Sequence, residues 1–235
     1  MSDELGIYVP SYGRAETTKT FEFLERCTYV VRKSEEKKYI ARGIESIWAV
    51  EDDEIDNVCK VVNYIVDNSK ERVIFMIDDD VESFIYRMDK NVVIDDKETI
   101  MAEIERIAQI MTDLRVGFCA EDAAEAPWNY TQEFTFKGPP GAMRWFNKDA
   151  YKSRFREKVY HNCDIDVVLH ELLVNRIILR PMYFCVKAGT DLNSGGNSSK
   201  TRREQKDCAN DMLREWGKYF AYNWKTNKPA IRVQR

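Results

Sequence analysis

The sequence predicts an α/β fold in which helices cover an open and largely parallel β-sheet. Short apolar or β-branched segments alternate four times with stretches of helical spacing in the first half of the chain. One of these segments, VIFMI at 73–77, is apolar at every position, as in strands buried on both faces of a parallel sheet. The 235 residues are 44% hydrophobic, which is enough for a real core in one large domain or two small ones.

Each element of the first half has a local reason. The strand predicted at 5–9 ends because Pro10 and Gly13 follow it. β-branched and aromatic residues predict further strands at 28–32 and 46–50. Helical spacing of apolar residues predicts helices at 54–66 and 99–114. Two weaker patterns predict helices at 15–26 and 35–43.

The second half has a different pattern, with short strands between loops rich in Gly, Pro and Ala. We expect strands at 116–120, 133–137, 143–147 and 181–186, and helices at 165–176 and 201–222. The segment 189–200 is polar and rich in Gly and Ser, which predicts a loop. Because no repeat and no long linker divides the chain, we expect a single domain over 1–235 with a mixed sheet.

Composition excludes several classes of protein. The apolar runs are far shorter than the roughly 18–20 residues that a membrane span needs, and no signal peptide is visible, so we expect a cytoplasmic protein with no membrane partner. The six cysteines form no CxxC pair and share no ligand spacing with the two histidines. We therefore expect reduced thiols and no zinc site. No feature indicates an obligate protein partner.

Charge is distributed unevenly between the two ends of the chain. Residues 141–235 carry 19 Lys and Arg against 10 Asp and Glu, whereas residues 1–140 have a net charge of −13. This asymmetry is compatible with a metal ion bound by the first part and an anion bound by the second. The alternative is a solvated imbalance without function.

The strongest functional signal is the acidic triplet Asp78-Asp79-Asp80, directly after VIFMI. Three adjacent carboxylates repel one another, so a cation is expected to offset them. The carboxyl edge of an open α/β sheet is also where ligands bind, and hard oxygen ligands suit Mg²⁺ or Mn²⁺. The alternative is an acidic turn or a helix N-cap, although a cap needs only one carboxylate.

A second signal follows the first strand, in the turn VPSYGR from Val9 to Arg14. Backbone N–H groups at a strand-to-helix turn, together with the Arg14 guanidinium, can hold a phosphate. Tyr12 can stack on a base or a sugar. A plain turn with a cap explains the same residues.

These motifs together resemble a known pattern. A strand that ends in Pro-Ser-Tyr-x-Arg, followed by an apolar strand and an acidic triplet, is similar to the GT-A nucleotide-sugar glycosyltransferases. IYVPSYGRA, TYVVRKSEEKKY, VIFMIDDDV and GAMRWFNKDAY–CDIDVVLHELL also resemble the phage TET-associated glycosyltransferases, which glycosylate hydroxymethylated pyrimidines in DNA. The resemblance implies a Rossmann-like GT-A domain, with a nucleotide-sugar-binding half at 1–115 and an acceptor-binding half at 116–235.

The resemblance also implies roles for individual residues. Asp80 would ligate Mn²⁺ or Mg²⁺, Asp78 would lie near the metal and the ribose, and Asp79 would turn away or support them. The nucleotide of the UDP-sugar would meet residues that follow the first two strands, namely Pro10, Ser11, Tyr12, Arg14, Arg32, Lys33 and Glu35. Many GT-A enzymes add a C-terminal His to the metal, but none follows His170 here, which leaves Asp191 or Asn193 as candidates for a third ligand.

An acidic pair at a predicted helix start offers a catalytic base. An acceptor hydroxyl has a high pKa, so a carboxylate must take its proton as it attacks. Asp166 is the first choice and Asp164 the second, with His161 and Glu171 nearby. In a helix only one of the two aspartates can face the site. An N-cap role for the pair is the alternative, and His170 is expected in the core or behind the site.

The basic segment 194–206 is a further candidate for binding. Lys200 and Arg202 can clamp a diphosphate or contact a DNA backbone, unless the segment is simply a basic loop. Aromatic residues interleaved with Lys and Arg suit a base taken out of the DNA helix, although such residues more often fill a core. They are Trp145, Trp216, Tyr219, Tyr222 and Trp224.

The predicted function is metal-dependent transfer of a sugar from a UDP-sugar to 5-hydroxymethylcytosine or 5-hydroxymethyluracil in double-stranded phage DNA. The alternatives are a GT-A glycosyltransferase with a glycan, lipid or protein acceptor, and a non-catalytic DNA-binding module. A nucleotidyltransferase also uses paired acids and Mg²⁺, but it normally begins with a Gly-rich loop and a Lys, which VPSYGR lacks.

Overall fold

A six-stranded mixed sheet forms the centre of the computed structural model, which describes residues 4–123, 126–189 and 201–234. Its strands are β1 (Leu5–Pro10), β2 (Thr28–Arg32), β3 (Ile47–Val50), β4 (Val73–Ile77), β7 (Phe118–Ala120) and β9 (Met143–Asn147). They are arranged in the order β3-β2-β1-β4-β9-β7. The first four run parallel, and β9 runs antiparallel to both β4 and β7. The carboxyl ends of β1–β4 and β7 therefore share one edge.

Helices pack on both faces of this sheet. They are α1 (Glu36–Ala41), α2 (Val58–Asn68), α3 (Lys97–Asp113) and α4 (Cys163–Val174), whereas α5 (Arg202–Trp216) packs in a separate cluster with residues of α4. Side chains of β4 alternate between the two layers, so Phe75 packs in the same cluster as Ile104 of α3 and Ile74 in the same cluster as Val62 of α2. α3 begins where the Asp96 carboxylate accepts a hydrogen bond from the N–H of Thr99, at 2.7 Å.

Three smaller sheets surround the central one. β5 (Val81–Arg87), β6 (Asn91–Ile94) and β11 (Phe184–Ala188) form an antiparallel sheet in the order β11-β5-β6. β8 (Phe134–Thr135) pairs with β10 (Arg180–Pro181). β12 (Phe220–Asn223) and β13 (Lys228–Ile231) form a hairpin near the end of the chain. Because β5 begins directly after the acidic triplet, the small antiparallel sheet fixes the far side of that turn.

Several local predictions are wrong. Residues 15–26 contain turns and one 3₁₀ turn (Thr20–Glu22) instead of a helix. The hydroxyls of Thr18 and Thr20 donate to the backbone carbonyls of Asp79 and Asp78, at 2.7 and 2.8 Å, which holds this segment against the end of β4. The predicted helix 201–222 ends at Trp216 because Gly217 takes a positive φ of 52°, and the β12–β13 hairpin follows.

All six cysteines are free thiols, and five of them are buried. Among the described residues no helix has the length and apolar character needed to cross a bilayer.

Candidate functional site

Polar side chains gather where the parallel strands end. Ser11–Arg14 follow β1, residues 33–35 follow β2, Asp52 lies just after β3, and Asp78–Asp80 follow β4. This edge, at the carboxyl ends of the parallel strands β3-β2-β1-β4, is the position at which open α/β sheets bind ligands.

The middle carboxylate of the triplet is a structural anchor. Asp79 is buried, and it accepts hydrogen bonds from the hydroxyl of Ser11 and from Nη1 of Arg14, the latter at 2.7 Å. The Ser11 hydroxyl is also 2.6 Å from the hydroxyl of Tyr39. Asp79 therefore joins the ends of β1 and β4 and points into the protein.

The two outer carboxylates are more open. The side chain of Asp78 is 39% exposed and that of Asp80 is 19% exposed. Arg14 Nη1 lies 2.9 Å from Oδ2 of Asp80, and Arg144 Nη1 lies 3.5 Å from Oδ1 of Asp78. The pKa of Asp78 is raised to about 6, chiefly by desolvation; the charges of Asp80 and Asp79 also raise it, and the two arginines oppose the shift. The ionised form of Asp78 is therefore disfavoured at this site.

The turn after β1 forms a second wall. Gly13 has a φ of 69°, which a residue with a side chain rarely adopts, and its N–H donates to Glu35 Oε2 at 3.0 Å. The Arg32 guanidinium stacks 3.8 Å from the centre of the Tyr12 ring, which leaves 45% of that residue exposed. Pro10 is the last residue of β1. The structure thus brings the predicted nucleotide residues of β1 and β2 together beside the triplet.

The second half of the chain contributes Glu121 and Arg144 to the same edge. Glu121 follows β7 and is buried, and it accepts the backbone N–H groups of Ala142 and Met143 at 2.8 and 2.6 Å. Desolvation raises the pKa of Glu121 to about 7, which the two N–H donors oppose. A side chain on Gly141 would collide with the Glu121 carboxylate, so this close approach requires glycine.

Arg144 links the two halves of the site. Its side chain is 13% exposed, and its Nε is buried without a hydrogen-bond partner among the described residues. Burial alone would lower the pKa of this guanidinium, but the nearby carboxylates of Asp78, Asp164 and Glu121 raise it. Asp164 is partly exposed at the second position of α4, and its charge acts on the same arginine as that of Asp78.

Asp166, the first choice for the catalytic base, lies in a different environment. Its side chain is fully buried. Both oxygens bind Arg156, at 2.7 and 2.5 Å, and Oδ1 also accepts the indole N–H of Trp216 at 2.9 Å. A carboxylate that is enclosed and fully bonded in this way has no access to an acceptor hydroxyl, so the order of preference changes to Asp164.

The remaining predicted residues have structural contacts, are exposed on the surface, or lie outside the residues that the structure describes. Glu171 is buried and accepts hydrogen bonds from Ser153, Lys152 and Asn175. His170 packs edge-on against Trp216, with ring centres 4.8 Å apart, and His161 packs against Tyr160. Arg202 is exposed in the first turn of α5. Asp191, Asn193 and Lys200 lie outside the described residues, although Gly189 donates its N–H to the carbonyl of Asp80 at 2.9 Å.

Metal binding would rest on few protein ligands. In the described part of the chain, no group of three or more His, Cys, Asp or Glu side chains surrounds a common point. Asp78 and Asp80 can offer two hard oxygen ligands, and a divalent cation there would need further oxygens from its ligand and from water.

Glu121 and Arg144 were not identified from the sequence. The available signals are weak: Glu121 is an acid at the end of a predicted strand, and Arg144 is a cation between two buried residues, Met143 and Trp145. Only the pairing of β9 with both β4 and β7 places them beside Asp78.

Comparison with solved structures gives the fold. Glucosyl-3-phosphoglycerate synthase from Mycobacterium tuberculosis, solved with Mn²⁺, UDP-glucose and phosphoglyceric acid, superposes with a TM-score of 0.54 at 6% identity, over 99% of this chain and 88% of that chain. The same enzyme with Mg²⁺ and UDP gives 0.53 at 7% identity, over 98% and 87% of the two chains. A further mycobacterial protein gives 0.52 at 7% identity, over 98% and 83%.

No protein-family model matches this chain, and no curated protein sequence matches it. The likeness to the solved structures is therefore one of fold. The chain has the GT-A fold, an α/β domain with a mixed six-stranded sheet, and that prediction is confirmed.

Proposed function

We propose that this protein is a glycosyltransferase that uses a UDP-sugar and a divalent metal ion. The observation that carries the proposal is the acidic triplet at the end of β4, with two open carboxylates on either side of a buried one, in a GT-A fold. Two structures with this fold were solved with Mn²⁺ or Mg²⁺ and with UDP-glucose or UDP, which supports the same class of donor here.

The residues at the site fit a metal-bound diphosphate. The raised pKa of Asp78 shows that its ionised form is disfavoured at this site, chiefly by desolvation, and a bound cation would favour that form. Asp78 and Asp80 would hold Mn²⁺ or Mg²⁺, which when bound neutralises charge on the departing diphosphate. Arg14, which is beside Asp80, would contact phosphate oxygens, and the exposed Tyr12 would contact the base or the ribose.

Asp164 is the proposed base of a direct displacement. The acceptor oxygen would attack the anomeric carbon, the bond from that carbon to the phosphate oxygen would break, and UDP would depart with the electron pair. The acceptor proton would pass to the Asp164 carboxylate. Arg144 supports this role because its positive charge interacts with both Asp164 and Asp78, which links the proposed base to the acidic triplet.

The proposed acceptor is a hydroxymethylated pyrimidine in DNA. The resemblance of the motifs to the phage enzymes supports this acceptor, as does the basic charge of residues 141–235. A glycan, lipid or protein acceptor is the alternative, and the choice between them is a matter for assay.

Donor binding is tested by thermal shift with UDP, ADP and GDP, each with and without Mn²⁺. We expect UDP with Mn²⁺ to raise the Tm selectively, and Asp80→Asn to remove most of that rise. Asp95→Asn, which makes the same change at an exposed position, is the matched control and should retain it. A response in which Mn²⁺ makes no difference, or in which Asp80→Asn behaves like the control, would refute the metal-dependent site.

Acceptor choice is tested with a radiolabelled UDP-sugar series and DNA that contains 5-hydroxymethylcytosine, 5-hydroxymethyluracil or only ordinary bases. Incorporation into modified DNA alone supports the proposal. If the protein binds UDP with Mn²⁺ but glycosylates no DNA, the acceptor assignment is wrong while the donor assignment stands.

A further inference from the structure

The β12–β13 hairpin presents an unusual surface. From Trp216 to Gln234 the sequence contains no Asp or Glu. The same stretch contains four cations, all exposed: Lys218, Lys225, Lys228 and Arg232. Within the part of the chain that the structure describes, none of the four forms a salt bridge. The nearest acids along the chain are paired elsewhere, Glu215 with Arg156 and Asp211 with Arg214, so this surface has a local excess of positive charge.

The two faces of the hairpin differ. Phe220 is buried, and Ile231 packs against the hydrophobic core, so this face holds the hairpin on the protein. The opposite face carries three exposed residues at alternate positions: Lys228 and Ala230 of β13, and Arg232 directly after it. Because Ala230 pairs with Ala221 of β12, the centre of that face is flat and has a cation on either side.

The turn of the hairpin holds an aromatic ring in a fixed position. The Asn223 side chain accepts the N–H groups of Lys225 and Thr226 at 3.0 and 3.3 Å, and Asn227 takes a φ of 53°. Trp224, at the tip, is 42% exposed and packs edge-on against Tyr222, with ring centres 4.8 Å apart. Tyr219, at the base of the hairpin, is 46% exposed with Lys218 Nζ 5.3 Å from its ring centre.

We propose that this hairpin is a nucleic-acid-binding surface that holds the DNA strand bearing the acceptor base. Lys228 and Arg232 would contact separate phosphates of one strand, and Trp224 would provide a stacking platform for an unpaired base. A flat basic face with a rigid aromatic residue at its edge suits a polymer that has both phosphates and π-faces. An acidic peptide or an anionic bilayer lacks the second feature.

The position of the hairpin agrees with this role. Ile231 and Val233 pack in the same cluster as Val167 and Val168 of α4, the helix whose second residue is Asp164. The hairpin that would hold the DNA therefore packs directly on the element that carries the proposed base. The inference rests on the proposed DNA acceptor, whereas donor binding is independent of it.

The test compares charge variants in DNA binding. Labelled single-stranded and duplex DNA, with and without 5-hydroxymethylcytosine, are titrated with the full chain by fluorescence anisotropy from 50 to 200 mM salt. Lys228→Ala/Arg232→Ala should weaken binding about 10-fold or more at low salt and reduce the salt slope by about 2. Lys70→Ala/Lys97→Ala removes the same charge from exposed positions elsewhere and should change neither.

A second pair of variants tests stacking. Trp224→Leu should weaken binding to single-stranded DNA by about 10-fold, and Trp224→Phe should restore most of it, because Phe keeps a π-face and Leu does not. Binding to polyglutamate and to phosphatidylglycerol vesicles is measured in parallel. If these polyanions depend on the hairpin as DNA does, and Trp224→Leu has no effect on DNA, the surface is not a nucleic-acid site.

Thermal shift with UDP and Mn²⁺ on the same proteins separates the two proposals. All hairpin variants should retain the wild-type shift. DNA affinity or sugar transfer to DNA that is unchanged in the hairpin variants would overturn this inference and leave the proposed function intact. Absence of any UDP response in the wild type would instead overturn the proposed function.

Discussion

Asp164 and Asp166 lie two positions apart on α4 and have opposite surroundings. Asp166 is fully buried between Arg156 and Trp216, whereas Asp164 is partly exposed and shares Arg144 with the acidic triplet. A carboxylate with open access can exchange a proton with a substrate, and an enclosed ion pair chiefly holds neighbouring elements together.

The two aspartates should therefore respond differently to the same substitution. We expect Asp164→Asn to lower kcat for sugar transfer by roughly 10²–10⁴-fold with little change in UDP affinity or Tm. Asp166→Asn should lower the free energy of unfolding by about 2–3 kcal/mol, because it leaves Arg156 without its bidentate partner. Steady-state kinetics and urea denaturation of both variants measure this. A large loss of kcat with native stability in Asp166→Asn alone would reverse the assignment.

The raised pKa of Asp78 predicts that the free energy of unfolding depends on pH. Its pKa of about 6 in the folded protein exceeds the ordinary 3.8, so the folded state holds a proton that the unfolded state has lost. The associated stability is complete below about pH 3.8 and is lost as the pH rises through 6. Asp78→Asn, neutral at every pH, should be more stable than wild type at pH 8 by about 1 kcal/mol, allowing for solvent screening of a part-exposed group.

Urea denaturation at pH 8 and pH 4.5, without metal, measures this difference. The gain should shrink at the lower pH, where the wild-type carboxyl is itself protonated. Asp95→Asn, at an exposed position, should show no such pattern. Equal stability of Asp78→Asn and wild type at pH 8 would mean that the ionised Asp78 carboxylate does not destabilise the folded protein.

At the scale of elements, α5 depends on its first turn. Thr201 accepts the N–H of Glu204 at 3.2 Å, and the Glu204 carboxylate accepts the N–H of Thr201 at 2.9 Å, which is a complete capping box. Met212 of α5 packs with Val159, in the segment that leads into α4, and with Ile165 of α4 itself. Thr201→Ala should lower the free energy of unfolding by about 1 kcal/mol, and Thr201→Ser should not. Urea denaturation followed by far-UV circular dichroism distinguishes these outcomes, and equal losses in both variants would show that the cap contributes nothing.

Sequence patterns predicted the elements that depend on local residues. The parallel strands β1–β4 are short apolar runs, and α2 and α3 have clear periodicity and Asn or Asp caps. The β5–β6–β11 sheet was missed because β5 contains Glu82 and Ser83 and finds its partner about 100 residues later, at Phe184–Ala188. The helix expected at 15–26 is absent because threonine hydroxyls bind the end of β4, a contact that no local pattern contains.

The candidate site likewise contains residues that local sequence could predict and residues that only long-range contacts bring together. Asp78–Asp80 could be found from the sequence because three adjacent carboxylates after a buried strand are rare and costly. Glu121 and Arg144 could not, because their proximity to Asp78 arises from strand order. The choice between Asp164 and Asp166 depended on which side of α4 meets Arg156 and Trp216, which only the packing decides.

At the scale of the whole molecule, both halves of the chain contribute to one sheet. β9 pairs with β4 along five positions, and the Trp145 indole of β9 donates to the carbonyl of Ile104 in α3 at 3.2 Å. Trp145 is fully buried, and its ring centre lies 4.6 Å from that of Phe75. The core of the first half is therefore completed by residues of the second.

This arrangement predicts a single cooperative unfolding transition. Tryptophan fluorescence and far-UV circular dichroism should give the same urea midpoint, because no part of the sheet is independent. A fragment of residues 1–115 should fail to fold, since β4 would lose β9 and the cover that the second half provides. Two separate midpoints, or a folded fragment, would indicate two domains in place of the single one proposed for 1–235.

Asp79 has a practical consequence for anyone who studies this triplet by mutagenesis. Its carboxylate accepts hydrogen bonds from Ser11 and Arg14, and its backbone carbonyl accepts one from Thr18, so the segment between β1 and β2 is held at three points by this one residue. An alanine scan will show as large a loss of activity at Asp79 as at its neighbours, but at Asp79 the loss will come from damage to the fold. Loss of activity in an Asp79 variant is therefore no evidence about metal binding. Only variants of the two flanking aspartates, Asp78 and Asp80, can test it.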